Sequence, residues 1–484
     1  MPSSSCCATK QSGSPVLHVA IIGSGSAAFS CALKLLEQTG KNNARITIIE
    51  ANKNIGGCCV NVGCVPSKIL IRAAQLAQQQ RNNPFTGIEN HPPLLNRALL
   101  SAQQNSRVDE LRQAKYQKML NDNPDISLVA GFAKFKDKQT LTLTLNDGSE
   151  QTITADKFLI ATGSSPTIPD IEGLQKTPYW TSTEAIFATK APPHLAIIGS
   201  SVIALEIAQA YRRLGSEVTL IARHTLLTKE EPLLGKELTL AFENEGIKVL
   251  SNCQTKRVSH NGEHFTLLLD DQKEILCQQL LISTGRHANT SQLNLSAAGI
   301  ETDQNGSIRV NNKMATSTAN IYAAGDCANM PQFVYVAAAA GSRAAINMTG
   351  GDAILDLTTM PAVIFTDPQV ATVGLTEAQA QQQGMKTKSR VLTMENVPRA
   401  LANFATEGFI KLVALADTGR IIGAQILAHE GGEIIQSAAL AIHNKMTVDD
   451  LAKQLFPYLT MVEGLKLCAQ TFSKDVSQLS CCAG

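Results

Sequence analysis

Cys59 and Cys64, within the run Gly56-Gly57-Cys58-Cys59-Val60-Asn61-Val62-Gly63-Cys64-Val65-Pro66-Ser67-Lys68, are spaced so that an electron-accepting disulfide could form and break between them. The four intervening residues leave room for a bridge of ordinary geometry. Apolar residues at Ile69, Leu70, Ala73, Leu76 and Ala77 read as a helix with the bridge at its start, and a helix N-terminus favours a thiolate. The competing reading is two ordinary buried cysteines, since free cysteine is a common core residue. The flanking glycines and Pro66-Ser67-Lys68 weigh toward redox chemistry.

The other thiols divide into two groups. Twelve cysteines scattered at random over this length would give about 0.3 adjacent pairs; the chain has three, Cys6-Cys7, Cys58-Cys59 and Cys481-Cys482. Adjacent Cα atoms lie about 3.8 Å apart, short of the usual disulfide range, so such pairs suit a soft metal held by two thiolates better than a bridge. Cys31, Cys253, Cys277, Cys327 and Cys468 stand singly in strand or helix patterns and are predicted to be buried filler. No C-x-x-C zinc spacing occurs.

The elements that must position these groups are legible as a repeated grammar. A short apolar strand, His18 to Ile22, leads into Gly23-Ser24-Gly25-Ser26-Ala27-Ala28, then a helical pattern through Leu36 and a strand, Ile46 to Ile49, that ends at Glu50. This is a dinucleotide-binding unit: Gly23 for the tight turn, Gly25 for close backbone approach, Ala28 for helix packing and Glu50 for a ribose hydroxyl. The grammar recurs from Leu195 to Arg223, with Gly199-Ser200-Ser201-Val202-Ile203-Ala204 as the turn. Ser201 replaces the second glycine and narrows the approach to a pyrophosphate. At the end of the second strand the acid is replaced by Ala222, followed by Arg223, His224 and Lys229. That pattern favours a 2′-phosphate, and so NADPH over NADH; solvated surface charges, which would leave the choice open, are the alternative.

These motifs resemble those of the flavin-dependent pyridine nucleotide-disulfide oxidoreductases over nearly the whole chain after residue 15. The resemblance implies an α/β fold with two Rossmann-like domains, for FAD and NAD(P)H, and a C-terminal α+β dimerisation domain. Residues 1–15, rich in Ser and without apolar periodicity, read as a flexible tail; the resemblance places FAD-binding parts at 16–160 and 289–358, the NADPH domain at 161–288 and the dimerisation domain at 359–484. That last domain is expected to hold alternating strands such as Phe409 to Val413 and a helix from Glu433 to Ile442. In the same way Gly57, Ala161-Thr162-Gly163 and Asp326 of Ile321-Tyr322-Ala323-Ala324-Gly325-Asp326 fall to the FAD site, and Lys68 and Glu206 to an ion pair beside the flavin and nicotinamide.

The substrate class follows from a departure. Disulfide-reducing members carry His-Pro-Thr-x-x-Glu where this chain has Tyr458-Leu459-Thr460-Met461-Val462-Glu463. A phenol with a reference pKa of about 10 is a poor base at neutral pH, so glutathione and lipoamide disulfides are poor candidates. With the terminal pair Cys481-Cys482, Tyr458 resembles the pattern of members that reduce Hg(II). The resemblance implies that thiol complexes of Hg(II) pass from Cys481 and Cys482 of one subunit to Cys59 and Cys64 of the other in a homodimer, with Tyr458 and Tyr116 along the metal path. Members of that branch often begin with small domains bearing a Cys-x-x-Cys loop; here only Cys6-Cys7 precedes the first strand, and Cys58 stands where threonine is usual.

Composition excludes other classes. A net charge of +1 with scattered charges offers no field for nucleic acid. No apolar run reaches the roughly 18–20 residues of a membrane span, and no signal core follows the N-terminus, so a cytoplasmic enzyme is expected. Two alternatives stand beside Hg(II) reduction: an NADPH-dependent disulfide reductase with a divergent proton donor, and a thiol-based metal buffer without turnover.

Overall fold

The computed structural model describes residues 16–479, so the thiol pairs Cys6-Cys7 and Cys481-Cys482 lie outside the described residues. The chain forms two compact units, one from residues 16–61, 109–165 and 287–355, the other from 62–108, 166–286 and 356–479.

In the first unit a seven-stranded sheet runs in the order Ile321–Ala323, Lys157–Ile160, Leu17–Ile22, Ala44–Glu50, Ile126–Phe135, Thr140–Leu145, Glu150–Thr154. Its centre is parallel: Leu17–Ile22 pairs with both Ala44–Glu50 and Lys157–Ile160. All of that strand after Leu17 is buried, as expected of a parallel strand covered on both faces. The Ser26–Thr39 helix forms one cover, burying Ala27, Ala28, Phe29, Cys31, Ala32 and Leu35. The last three strands are antiparallel.

The second unit holds three sheets. Lys248–Leu250, Glu217–Ile221, His194–Ile198 and Gln279–Ile282 make a parallel sheet that carries the Val202–Arg213 helix, on which every residue from Ala204 to Tyr211 is buried. Thr255–His260, Phe265–Leu269 and Glu274–Cys277 form an antiparallel meander. The third is a five-stranded antiparallel sheet, ordered Ala362–Ile364, Gln369–Gly374, Ile421–Ala428, Phe409–Leu415, Thr387–Thr393.

Two expectations need correction. Phe409–Leu415 does not alternate in burial; all of its residues but the last are buried, because the sheet is covered twice. Ile410, Leu412 and Ala414 join a core with the Gly431–His443 and Glu463–Gln470 helices, while Phe409 joins Leu234, Leu238 and Phe242 of the Pro232–Asn244 helix. Cys253 is not buried filler: it is half-exposed, with its thiol 3.7 Å from Asp270 Oδ1, and burial together with that carboxylate pushes the thiol up. Cys31, Cys277, Cys327 and Cys468 are buried. Among the described residues no helix is long and apolar enough to cross a membrane.

Candidate active site

The thiol-bearing run folds as two helices. Cys58 and Cys59 lie on the short helix Gly57–Asn61, and Cys64 opens the long helix Cys64–Arg81, which starts five residues earlier than Ile69. Asn61 pins the short helix through Nδ2 to the carbonyls of Ile55 at 2.8 Å and Gly57 at 2.9 Å, and Arg112 Nη1 donates to its Oδ1 at 2.9 Å. Cys59 is half-buried; Cys58 and Cys64 are exposed. At the first position of an 18-residue helix, Cys64 sits where the peptide dipoles favour a thiolate.

One turn further on, Lys68 Nζ lies 2.6 Å from Glu206 Oε2, across 138 residues of sequence. Glu206 is on the second fingerprint helix. Its other oxygen, Oε1, accepts the backbone N–H of Phe365 at 3.0 Å, and the Phe365 ring lies 4.5 Å from Lys68 Nζ. Gln209 and Arg213 continue the same helix face. Gln209 exchanges two hydrogen bonds with the Asp367 backbone at 2.7 and 2.8 Å, and Arg213 Nη1 donates to Asp367 Oδ2 at 3.1 Å. Arg213 also makes a bidentate pair with Glu245, and His429 Nδ1 lies 3.3 Å from Asp367 Oδ1. Phe365, Gln209, Arg213, Asp367 and His429 were not anticipated. No local motif marks them, since each matters only through partners distant in sequence.

The first fingerprint fits a flavin dinucleotide. Gly23, with φ +103°, closes the turn after the strand; a Cβ there would fall 2.3 Å from Ala161 O, so only glycine fits. Gly25 and Gly57 face each other without side chains, and a Cβ on Gly57 would come 2.7 Å from Gly25 Cα. Ala28 is fully buried beneath the turn. Glu50 is buried at its strand end, where Oε2 accepts Ser24 N–H at 3.0 Å and Ser24 Oγ–H at 2.6 Å, and Oε1 accepts the Asn52 backbone at 2.7 Å and its side-chain amide at 2.8 Å. Those four donors fill the carboxylate, so a ribose hydroxyl must replace the Ser24 hydroxyl or the Asn52 amide. Next to half-buried Gly163, Thr162 Oγ1 is buried beside the Cys327 thiol. Asp326, half-buried after Ile321–Ala323, accepts Ser164 Oγ–H at 2.8 Å.

The second fingerprint repeats the joint. Gly199 has φ +116°, and a Cβ there would lie 2.2 Å from Ser283 O. Ser201 is the N-cap of the Val202–Arg213 helix: its hydroxyl accepts Ala204 N–H at 3.2 Å and lies 2.8 Å from Ser283 Oγ. The hydroxyl is thus drawn into the protein, which offsets the narrowing expected from its extra bulk. Arg223, His224 and Lys229 are all exposed, and among the described residues no carboxylate forms an ion pair with any of them. A phosphate dianion fits that set.

Tyr116 is half-buried on a π-helical turn, Gln113–Gln117, its ring 5.0 Å from that of Phe29 and edged against Gly56. Tyr458 is 53% exposed in the segment before the Glu463–Gln470 helix. Glu463, at the end of that run, is buried, and its Oε2 has no hydrogen-bond partner among the described residues.

Residues 17–341 match the profile described as pyridine nucleotide-disulphide oxidoreductase, and residues 360–469 match that family's dimerisation domain. The chain is 69% identical to a mercuric reductase from Shewanella putrefaciens over 96% of its own length and 83% of the relative's. It is 57% identical to one from Shigella flexneri, covering 98% and 84%. Among solved structures, LpdA from Mycobacterium tuberculosis superimposes with a TM-score of 0.84 at 26% identity, covering 95% of this chain and 100% of that one. The HOCl-induced flavoprotein disulfide reductase RclA from Escherichia coli gives 0.83 at 26% identity, covering 94% and 100%. The chain belongs to the pyridine nucleotide-disulphide oxidoreductase family, in the branch that its mercuric reductase relatives define.

Proposed function

We propose that this chain reduces Hg(II), delivered as thiol complexes, to Hg(0) at the expense of NADPH, acting as a cytoplasmic homodimer in mercury detoxification. The overall reaction is Hg(II) plus NADPH giving Hg(0), NADP⁺ and a proton. The observation that carries this reading is 69% identity to a mercuric reductase across nearly the whole chain, joined to tyrosine at 458 in place of the proton-shuttling histidine. The proposed parts are FAD-binding segments 16–160 and 289–358, an NADPH domain 161–288 and a dimerisation domain 359–484.

The cofactors are FAD and NADPH. Bound NADPH supplies the electron pair and FAD relays it to the thiols. Gly23, Gly25, Ala28, Glu50, Gly57, Gly163 and Asp326 would hold FAD; Gly199, Ser201, Arg223, His224 and Lys229 would hold NADPH. Lys68 and Glu206 orient the nicotinamide edge of the site, their short ion pair keeping a cation fixed where charge moves.

Two electrons break the Cys59–Cys64 disulfide and leave two thiolates, the ligand set that soft Hg(II) prefers. Thiolate-bound mercury moves by ligand exchange, each incoming thiolate displacing an outgoing one, so no proton shuttle is required and Tyr458 suffices beside the path with Tyr116. Cys481 and Cys482 of the partner subunit are the proposed donors in this exchange. A second electron pair reduces the metal to Hg(0), which has no charge to hold it on the thiolates.

The test is NADPH oxidation by the purified flavoprotein on adding Hg(II) with excess small thiol, with volatile mercury trapped. One Hg(0) per NADPH is expected. NADPH consumption without volatile metal would assign the chain to disulfide or oxidase chemistry, and metal binding without NADPH consumption would make it a buffer.

A further inference from the structure

The loop 222–231 joins the Glu217–Ile221 strand to the Pro232–Asn244 helix and carries Arg223, His224 and Lys229. Cations that select a phosphate must stand where it arrives, because a loop ordered only on binding gives up part of the gain in entropy. One side of this loop faces a cavity of about 470 Å³ whose lining includes Thr225, Thr228, Glu230, Lys236, Thr239 and Ser251, so close packing does not fix it there. It is held at three points instead. At the start, Ala222 N–H donates to Leu250 O at 2.9 Å and Ala222 O accepts Cys253 N–H at 3.0 Å. In the middle, Leu226 is 2% exposed and its carbonyl lies against Gly235, where a Cβ would come within 2.2 Å. At the end, Glu231 Oε2 lies 3.0 Å from Lys411 Nζ.

The third anchor is unusual in sequence and in setting. Glu231 occupies the N-cap of the Pro232–Asn244 helix, yet its side chain makes no capping bond and turns to Lys411, 180 residues away. Lys411 projects from Phe409–Leu415 on the same face as Phe409, the face packed with the helix residues Leu234 and Leu238. The two side chains are only 9% and 13% exposed. Glu377, held by Ser389 Oγ–H at 2.8 Å, lies 3.5 Å from the same ammonium. In so dry a setting the pair is directional, and removing one member strands the other's charge.

We propose that Lys411 is a positioning residue for the selection of NADPH over NADH. It fixes Glu231, and through it Lys229, two residues upstream, together with the loop that presents Arg223 and His224. It also neutralises a carboxylate that would otherwise repel a phosphate dianion at this loop. This rests on the reading of Arg223, His224 and Lys229 as the 2′-phosphate ligands.

The test titrates the full-length FAD-loaded protein calorimetrically with adenosine 2′,5′-bisphosphate and, separately, with 5′-AMP. Lys411→Met is expected to weaken the bisphosphate about tenfold, the scale of one charge-assisted hydrogen bond, with 5′-AMP unchanged and with Lys411→Arg restoring most of the loss. If Lys411→Met fails to fold, Lys411→Gln, which keeps a donor of shorter reach, is expected to show a smaller loss of the same selectivity. Equal weakening of both ligands, or of neither, overturns the proposal. The combined Arg223→Ala and Lys229→Ala variant separates the two levels. If it abolishes the bisphosphate preference while Lys411 variants do not, the loop reading stands and the anchor fails; if it leaves that preference intact, the loop reading fails and takes the anchor with it.

Discussion

Glu206 divides its carboxylate between two partners, giving Oε2 to Lys68 Nζ at 2.6 Å and Oε1 to the backbone N–H of Phe365 at 3.0 Å. The carboxylate therefore cannot rotate without breaking one of the two bonds. Phe365 closes the unit by placing its ring against the same ammonium.

The two halves of this pair are unequal in exposure, 6% for the Glu206 side chain and 35% for that of Lys68. Lys68→Met leaves a buried anion with one partner and is expected to cost about 3 kcal/mol, whereas Glu206→Gln leaves a partly solvated cation and is expected to cost about 1 kcal/mol or less. Thermal unfolding of the two variants side by side checks the order. Both are expected to slow flavin reduction by NADPH at least about tenfold in stopped-flow measurements.

Asp367 and His429 give the fold a pH dependence of definite sign. Burial opposes the charge on Asp367, but the His429 hydrogen bond and the Arg213 guanidinium overcome it and hold the carboxyl below its ordinary 3.8. The same hydrogen bond is the main cause that raises His429 above 6.5. Stabilisation from His429 is complete below 6.5 and fades as pH rises through its raised native value; that from Asp367 is present above 3.8 and fades as pH falls through its lowered one. His429→Gln is expected to flatten the decline in melting temperature on raising the pH from 6.5, and to shrink the acid limb to the part that Arg213 sustains. An unchanged alkaline slope would remove His429 from the account.

Gly23→Ala forces a Cβ to within 2.3 Å of Ala161 O and is expected to yield protein with little bound flavin, read as the ratio of visible to ultraviolet absorbance. Gly87→Ala is the control, because a Cβ there meets nothing within 4 Å. Equal flavin content in the two variants would remove the first turn from the FAD site.

Cys59→Ala or Cys64→Ala is expected to abolish Hg(0) release. Replacing Cys481 and Cys482 together by Ala is expected to cut turnover of thiol-bound Hg(II) sharply while leaving flavin reduction by NADPH at its normal rate. Full turnover in the latter variant would eliminate the tail as a metal donor.

What the sequence disclosed was chemistry carried by neighbours in the chain. Both fingerprints, Glu50 at a strand end and Cys64 at a helix start are short-range patterns, and each is found on the element anticipated for it. Lys68 and Glu206 were paired in advance only through the family likeness, since each alone reads as a surface charge on a helix. The Phe365–Asp367 segment carries no local signal, because its main-chain bonds reach helix residues more than 150 positions away and its side chains meet partners equally remote from any motif. At Ser201 a fingerprint records the missing glycine and not the hydroxyl's acceptor duty toward Ala204, so its pattern alone implies an obstruction. Phe409–Leu415 misled for a related reason: alternation assumes one wet face, and the Pro232–Asn244 helix leaves none.

Gly23 and Gly199 are each followed by a partly exposed turn, and each rests on the carbonyl of a residue just past a crossover strand, Ala161 in one copy and Ser283 in the other. A survey of mutational tolerance that ranks positions by solvent exposure would mark both as permissive. Each is instead a place where every larger residue meets a carbonyl oxygen and an unfavourable backbone angle together. A directed-evolution library aimed at the substrate range of this chain should therefore hold these two codons fixed and spread its diversity elsewhere.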